Sequence, residues 1–543
     1  MKKRLSVFFL LCSCLFAYPQ NQNSNSLPRP KLVVGLMIDQ MRWDYLYRYY
    51  DRYSANGFKR ILREGFSCEN TFIPYAQTVT AAGHTCVYTG SVPAIHGIMG
   101  NEWYDRKLGK MVYCTDDDSV KTIGGDPRSE PMSPKNLWTT TVCDELRLAT
   151  NFQSKVIGVA IKDRGGILPA GHAANAAYWY DGLSGNWVTS TYYMQQLPAW
   201  ATNFNNKKYV DSFYAKDWNT LYPINTYKQS DPDNVDYEGK FFHEKAPVFP
   251  HDLKSRIGKD YGLIRSTPYG NTFTLEFARA ALKAESLGKD AITDFLAVSL
   301  SSTDYVGHQF GPNSIEVEDV YLRLDKDIAD FLAFLDKEIG KGQYLFFLTA
   351  DHAVAHNPYF LDTNKIAART INTTATIELS RKVEEKFKVK QVIKASGNYH
   401  LYLNDSSINA AGASKADIKK FLIDSINTLP EVLLAIDAEK ISQANLPAEV
   451  KEMFINGYNT KLGGDIIVVL KAGLFYGGRT GTTHGTWYPY DSHIPLLWMG
   501  WGVKSGKLNR TVHMTDIAPT VAALLHIQMP NGSIGSVIPE VMK

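Results

Sequence analysis

Four short motifs carry residues suited to binding a divalent metal: Asp39, Asp304-(x3)-His308, Asp351-His352 and His484-Gly485. Together they offer three carboxylates and three imidazoles, a hard-to-borderline donor set that suits Zn²⁺. Each motif alone has an ordinary reading. An Asp after a strand is commonly a helix N-cap, a D-x3-H pair is usually a surface pair, and a histidine in a Gly/Thr loop commonly braces a turn. The conjunction points to a site, because all four fall near the ends of apolar runs.

Two further motifs offer groups for phosphoryl chemistry. In Gln77-Thr78-Val79-Thr80-Ala81-Ala82-Gly83-His84, Thr80 stands where a helix would begin. It could be a nucleophile if a metal lowered its hydroxyl pKa; a plain N-cap role is equally open. His84, one turn on, reads as a brace rather than a ligand. Lys162 and Arg164, in Ile161-Lys162-Asp163-Arg164-Gly165-Gly166, place two cations where they could clamp a phosphoryl group. In isolation a solvated basic turn is the commoner reading. Asp116-Asp117-Asp118 could hold Ca²⁺, although a solvated acidic loop fits better. His356, His400, His493 and His513 read as supporting or packing residues, with His493 the one suited to orient a ligand.

Such residues need a scaffold that brings strand ends together. Leu32–Ile38 is a continuous apolar run, and similar runs recur at Val156–Ile161, Phe295–Leu300, Tyr344–Leu348, Ile466–Leu470 and Ile494–Met499. They read as strands buried on both faces. Between several of them lie amphipathic helices. In Ser314–Ile339, the residues Val320, Leu324, Ile328, Phe331, Leu335 and Ile339 share a face, with Ser314 as cap and Glu316, Glu318 and Asp319 in the first turn. The predicted fold class is α/β: a mostly parallel central sheet with helices on both faces. In such sheets, ligands collect beyond the carboxyl ends of the strands. Residues 31–543 read as one such domain with two insertions, at about 180–260 and about 370–460, the second a small cap domain. Aromatic residues around Tyr178–Tyr180 and Trp187 could wall the pocket, although ordinary packing is the simpler reading.

The N-terminus reads as an export signal. Lys2, Lys3 and Arg4 precede the apolar run Leu5–Phe16 and the small residue Ala17, so residues 1–20 form a signal peptide and 21–30 a polar linker. A lipobox around Cys12 or Cys14 fits less well. Of 58 basic and 55 acidic residues, the leader takes three basic ones, which leaves 55 against 55. That balance gives no electrostatic support to nucleic-acid binding. The expected setting is periplasmic or secreted. There, Cys68, Cys86, Cys114 and Cys143 would form two disulfides, with free buried thiols as the alternative.

Asp39, Thr80-(x3)-His84, Thr89-Gly90-(x5)-His96-Gly97-Ile98-(x2)-Asn101, Asp304-(x3)-His308, Asp351-His352 and His484-Gly485 resemble, in order and spacing, the alkaline phosphatase superfamily. The resemblance is nearest to the branch that holds nucleotide pyrophosphatase/phosphodiesterases and phosphate-irrepressible periplasmic alkaline phosphatases, and it runs from about residue 31 to 530. It implies two zinc ions, one held by Asp304, His308 and His484, the other by Asp39, Asp351 and His352, with Thr80 as attacking oxygen. Asn101, Lys162 and Arg164 would bind the remaining phosphoryl oxygens. The Lys162-x-Arg164 pair resembles the monoesterases, which implies hydrolysis of small phosphate monoesters through a phospho-threonine; the expected oligomeric state is a monomer. A diester carries one charge fewer and a second organic group, so a phosphodiesterase is the alternative. A non-catalytic periplasmic metal-binding protein is the remote one. A sulfatase would need C/S-x-P-x-R, which Thr80–Gly83 lacks. A cofactor-independent phosphoglycerate mutase would use serine.

Overall fold

Five of the six apolar runs become neighbours in one sheet. The computed structural model describes residues 27–371 and 374–543. The signal peptide at 1–20, with Cys12 and Cys14, and most of the 21–30 linker lie outside the described residues. Strands are β1 (Leu32–Ile38), β2 (Phe66–Phe72), β3 (Glu102–Asp105), β4 (Lys110–Tyr113), β5 (Thr122–Ile123), β6 (Val156–Ala160), β7 (Ala176–Asp181), β8 (Asn186–Ser190), β9 (Asp294–Leu300) and β10 (Tyr344–Thr349). The centre of an eleven-stranded sheet runs β10-β1-β9-β6-β7, parallel at every step. Every residue of these five strands is buried, as expected for a sheet covered on both faces. Register then fixes the site. Met37 pairs with Thr349 of β10 and Ile38 with Leu300 of β9, so the segments that follow β1, β6, β9 and β10 emerge along one edge.

The flanks depart from parallel order. Leu496–Gly500 lies antiparallel to both β10 and β2, while β8 and β5 extend the other side antiparallel. The predicted amphipathic helix is realised as Ile315–Leu335, capped by the Ser314 side chain accepting from the Val317 N–H, and continues as a π-turn over Asp336–Gly340.

Ile466–Leu470 is a correction to the sequence reading. It belongs to a separate antiparallel sheet with Ile393–Gly397, His400–Leu403 and Val432–Asp437. Its apolar continuity has a different cause. Ile466, Val468 and Leu470 pack with Ile418 and Leu422 of the inserted domain, while Ile467 and Val469 pack with Ala76, Val450 and Phe454. A strand buried on two sides by different partners reads like a central strand. This sheet thus ends about ten residues past 460, the expected end of the second insertion. The first has no sheet of its own, and Tyr180 and Trp187 lie in β7 and β8. Trp187 stacks on Phe277 at 4.4 Å and Tyr180 meets Phe273 edge-on, so these rings belong to the core.

The disulfide expectation is also corrected. Cys68, Cys86, Cys114 and Cys143 are all free and buried. Cys68, Cys86 and Cys143 pack into the main core and Cys114 into a smaller cluster with Trp103 and Leu137. Burial pushes the Cys68 thiol up to about 12 and raises the other three well above the ordinary thiol value. They serve as small apolar residues.

Candidate active site

Asp39 directly follows β1 and Asp351 follows β10 by one residue, so the parallel β1–β10 pairing sets their two carboxylates side by side. Asp304 and His308 sit on the helix Ser302–Phe310 that leaves β9, four residues apart and hence on one face. His484 comes from the loop that returns from the inserted domain. The result is two clusters, Asp39/Asp351/His352 and Asp304/His308/His484, each with its potential ligand atoms within 4.8 Å of one another.

The imidazole orientations fit metal ligation. His352 Nδ1 faces the Ala353 carbonyl at 3.0 Å, His308 Nδ1 the Thr482 carbonyl at 2.8 Å, and His484 Nδ1 the Thr78 carbonyl at 2.7 Å. A carbonyl only accepts, so each Nδ1 carries a proton and each Nε2 is the nitrogen left to face the site. Those Nε2 atoms point at carboxylate oxygens. His308 Nε2 is 3.2 Å from Asp304 Oδ1 and His352 Nε2 is 3.3 Å from Asp351 Oδ2, while Asp39 Oδ1 is buried with no hydrogen-bond donor. Converging acceptors of this kind match a bound cation. The rings of His352 and His484 stack at 3.5 Å, so the two clusters share a wall.

Electrostatics separate the aspartates. Burial, then repulsion from Asp351, raises the Asp39 carboxyl well above its ordinary value. For Asp304, burial is outweighed by His308 and Lys162, which hold it well below. Burial lowers both His352 and His484, so they stay neutral. His308 is raised, because Asp304 outweighs its burial.

Thr80 opens the helix Thr80–Thr89, its Oγ1 3.4 Å from His352 Nε2 and 3.5 Å from Lys162 Nζ. Asn101 Oδ1 accepts the Ala81 N–H at 3.0 Å, which leaves its amide nitrogen free to donate. The helix approaches closely only because position 83 is glycine: a Cβ on Gly83 would lie 2.3 Å from the Asp351 carbonyl oxygen. His84 braces this corner. Its Nδ1 meets the Thr80 carbonyl at 2.9 Å and Asp351 Oδ2 at 3.2 Å, and its Nε2 meets Ser299 Oγ at 2.7 Å.

Lys162 has a relation that its motif did not suggest. Its Nζ donates to Asp39 Oδ2 at 2.7 Å and to Asp304 Oδ2 at 2.5 Å, one carboxylate from each cluster. Arg164 donates from Nη1 to the Tyr113 hydroxyl at 2.7 Å. Gln40 was missed by sequence reasoning. It holds a left-handed φ of 65°, donates its N–H to Asp351 Oδ1 at 3.1 Å and its Nε2 to Asp304 Oδ1 at 2.7 Å, and so ties the clusters together. Its only signal was adjacency to Asp39.

The other candidates fall away from the site. His493 stacks between Trp43 and Phe72, with Nε2 on the Glu69 carbonyl. It packs rather than orients a ligand. Asp117 is satisfied by Ser119, Ser133 and Lys135, a turn rather than a Ca²⁺ site.

Comparison with known proteins gives concordant matches. A family profile described as Type I phosphodiesterase / nucleotide pyrophosphatase matches residues 33–491. Alkaline phosphatase PhoV of Synechococcus elongatus is 53% identical, with both chains covered in full. A protein of Myroides odoratus named calcium-transporting ATPase is 52% identical over the same full coverage. Alkaline phosphatase PafA of Elizabethkingia meningoseptica is 50% identical over 96% of both chains. A crystal structure of wild-type PafA superposes with a TM-score of 0.93, covering 96% of this chain and 100% of that one.

Proposed function

We propose, from the premise that this chain belongs to the Type I phosphodiesterase / nucleotide pyrophosphatase family of the alkaline phosphatase superfamily, that it is a metal-dependent alkaline phosphatase acting on phosphate monoesters. One observation carries the residue roles: the Thr80 hydroxyl lies between a histidine of one metal cluster and the ammonium of Lys162, at 3.4 and 3.5 Å. A nucleophile, a metal site and a phosphate-binding cation are thus within reach of one phosphorus atom.

Zinc fits the two donor sets, and two such ions would supply charge neutralisation and lower the pKa of the attacking and leaving oxygens. The chain supplies the rest. Thr80 Oγ attacks phosphorus in line, its O–P bond forming as the bond to the ester oxygen breaks. The products of this half are the alcohol and a phospho-threonine. Water then attacks the same phosphorus, inorganic phosphate leaves and Thr80 is regenerated. The N–H groups at the start of the Thr80 helix favour the phosphoryl charge. Asn101 donates from its amide. Lys162 and Arg164 add two positive charges for a group whose charge is spread over three equatorial oxygens, and Arg164 can bind two of them as a fork. A diester would bring one charge fewer to those two cations, so a diester is the poorer substrate.

The name of the Myroides relative includes transport. Among the described residues of this chain, no helix is long and apolar enough to cross a membrane. Release of the terminal phosphate of ATP lies within the same chemistry, since that group is also a phosphoryl dianion. We read the leader at 1–20 as directing export to the periplasm or beyond, and the mature protein as a monomeric α/β domain carrying two insertions.

The test is elemental analysis of the purified protein with turnover of p-nitrophenyl phosphate and bis-p-nitrophenyl phosphate, in the wild type and in Lys162→Ala/Arg164→Ala. Two zinc ions per chain and a monoester preference that collapses in the double variant are expected. Equal rates on the two substrates in the wild type would overturn the monoester reading.

A further inference from the structure

Arg164 carries a long side chain with several rotatable bonds, and its Nη1 meets one residue outside the catalytic set. The Tyr113 hydroxyl accepts from Arg164 Nη1 and donates to Asp163 Oδ1, both at 2.7 Å, and the guanidinium carbon lies 5.9 Å from the Tyr113 ring centroid. Asp163 Oδ1 also faces the Thr115 hydroxyl at 3.4 Å, which fixes the acceptor in turn. Burial, then the Asp163 charge, raises the Tyr113 hydroxyl far above its ordinary value, so it stays protonated and keeps both hydrogen bonds.

Tyr113 ends β4, and Asn101 immediately precedes β3. The root of the hairpin is closed by the Cys114 N–H on the Asn101 carbonyl at 2.9 Å. One hairpin therefore presents Asn101 directly and governs Arg164 through Tyr113. The tip of the same hairpin is held by the inserted domain. Arg106 donates from Nη1 to the Gly463 carbonyl at 2.6 Å and from Nη2 to Asp465 Oδ2 at 3.0 Å, with its guanidinium 5.3 Å from the Tyr402 ring. Asp465 is itself anchored by the Leu403 N–H at 2.8 Å and by Lys415 at 2.8 Å. At the root of the hairpin, Asn398 Nδ2 donates to the Glu102 carbonyl at 3.0 Å.

We propose that Tyr113 is a positioning residue for Arg164, and that the inserted domain sets this position by clamping the β3–β4 hairpin through Arg106. The proposal rests on the reading of Arg164 as a phosphoryl-oxygen ligand. A free Arg164 would have to be ordered at each substrate encounter; the Tyr113 hydroxyl does this in advance. Monoester preference then depends on residues that touch no substrate.

The test is a double-mutant cycle with kcat/KM measured on p-nitrophenyl phosphate and on bis-p-nitrophenyl phosphate. Tyr113→Phe keeps the ring and removes only the hydroxyl. It is expected to lower monoester kcat/KM by about tenfold, the equivalent of one hydrogen bond to a charged group, while diester hydrolysis stays within about twofold. In an Arg164→Ala background the same change is expected to have no further effect. Arg106→Gln should give a smaller loss with the same substrate pattern, also absent from the Arg164→Ala background. Metal content, measured for every variant, shows that the clusters remain intact. Losses that persist at full size without Arg164, or that fall equally on both substrates, would overturn the positioning role. If Arg164→Ala alone leaves monoester hydrolysis unchanged, the reading of Arg164 as a phosphate ligand is what fails, and the positioning role falls with it.

Discussion

Asp39, Asp351 and His352 hang from the ends of two hydrogen-bonded parallel strands, and all three are wholly buried. Asp304, His308 and His484 come from a helix and a returning loop, with the His308 side chain 35% exposed. The first cluster is built by sheet register, so its geometry is as rigid as the core behind it. The second depends on the loop that leads back from the inserted domain, and its His308 is the most exposed of the six side chains. Rigidity falls where Thr80 must be aligned. Access falls where, on the proposed reading, leaving groups of different shape must come and go. The difference teaches that one site can combine a preorganised half with a permissive half, joined by Gln40, Lys162 and the stacked rings of His352 and His484.

The largest expected effect tests what the rigid half is for. Thr80→Ala should lower turnover by roughly 10⁴-fold or more, yet keep both ions by elemental analysis. Substantial residual phosphate release would move the nucleophile elsewhere. Next comes a matched pair of ligand changes. Asp351→Asn in the buried cluster should cost roughly 10³-fold, and excess zinc should not restore it. His308→Ala in the open cluster should cost roughly 10²-fold, and added zinc should restore part of the rate. Identical behaviour in a zinc titration would erase the distinction between the halves.

The smallest effect concerns the support behind the open half. His251 packs on Phe310, the last residue of the helix that carries Asp304 and His308, with ring centroids 5.3 Å apart. It bridges Glu244 at 3.0 Å and Glu316 at 3.1 Å. Burial opposes its protonation, but the hydrogen bonds to those two glutamates push it up to about 9. A histidine raised in the folded state stabilises fully below its unfolded value, about 6.5, and that contribution is lost as pH rises through 9. The amount is on the order of 3 kcal/mol. Glu238, pushed up to about 10 by burial and by Glu316, acts in the same direction. Denaturant unfolding at pH 6 and pH 10 should show this loss in the wild type and a smaller one in His251→Gln. A pH-independent midpoint in the wild type would show that this network does not support the open half.

Much of the site was legible because its residues sit where apolar runs stop. Asp39, Lys162, Asp304 and Asp351 each follow a buried strand closely, and a parallel sheet collects such positions at one edge. Other features were not legible, for physical reasons. Ile466–Leu470 looked like a central strand because burial on both faces leaves the same pattern whichever elements provide it. The four cysteines looked like a disulfide framework because spacing says nothing about which side chains face one another. Gln40 and Tyr113 carry no motif, since each acts through hydrogen bonds to partners far away in the chain.

The sequence by itself determined the donor set, the α/β class and the chemistry those residues permit, since residue type and hydrophobic period are local properties. Only the tertiary structure decided which histidine nitrogens face the carboxylates, that Lys162 bridges both clusters, and that Arg164 meets the Tyr113 hydroxyl on a hairpin bonded through Arg106 to Gly463 and Asp465. Those relations join positions as far apart as Gln40 and Asp351 or Arg106 and Asp465, and they exist only once strand pairing and register have fixed the distances between them.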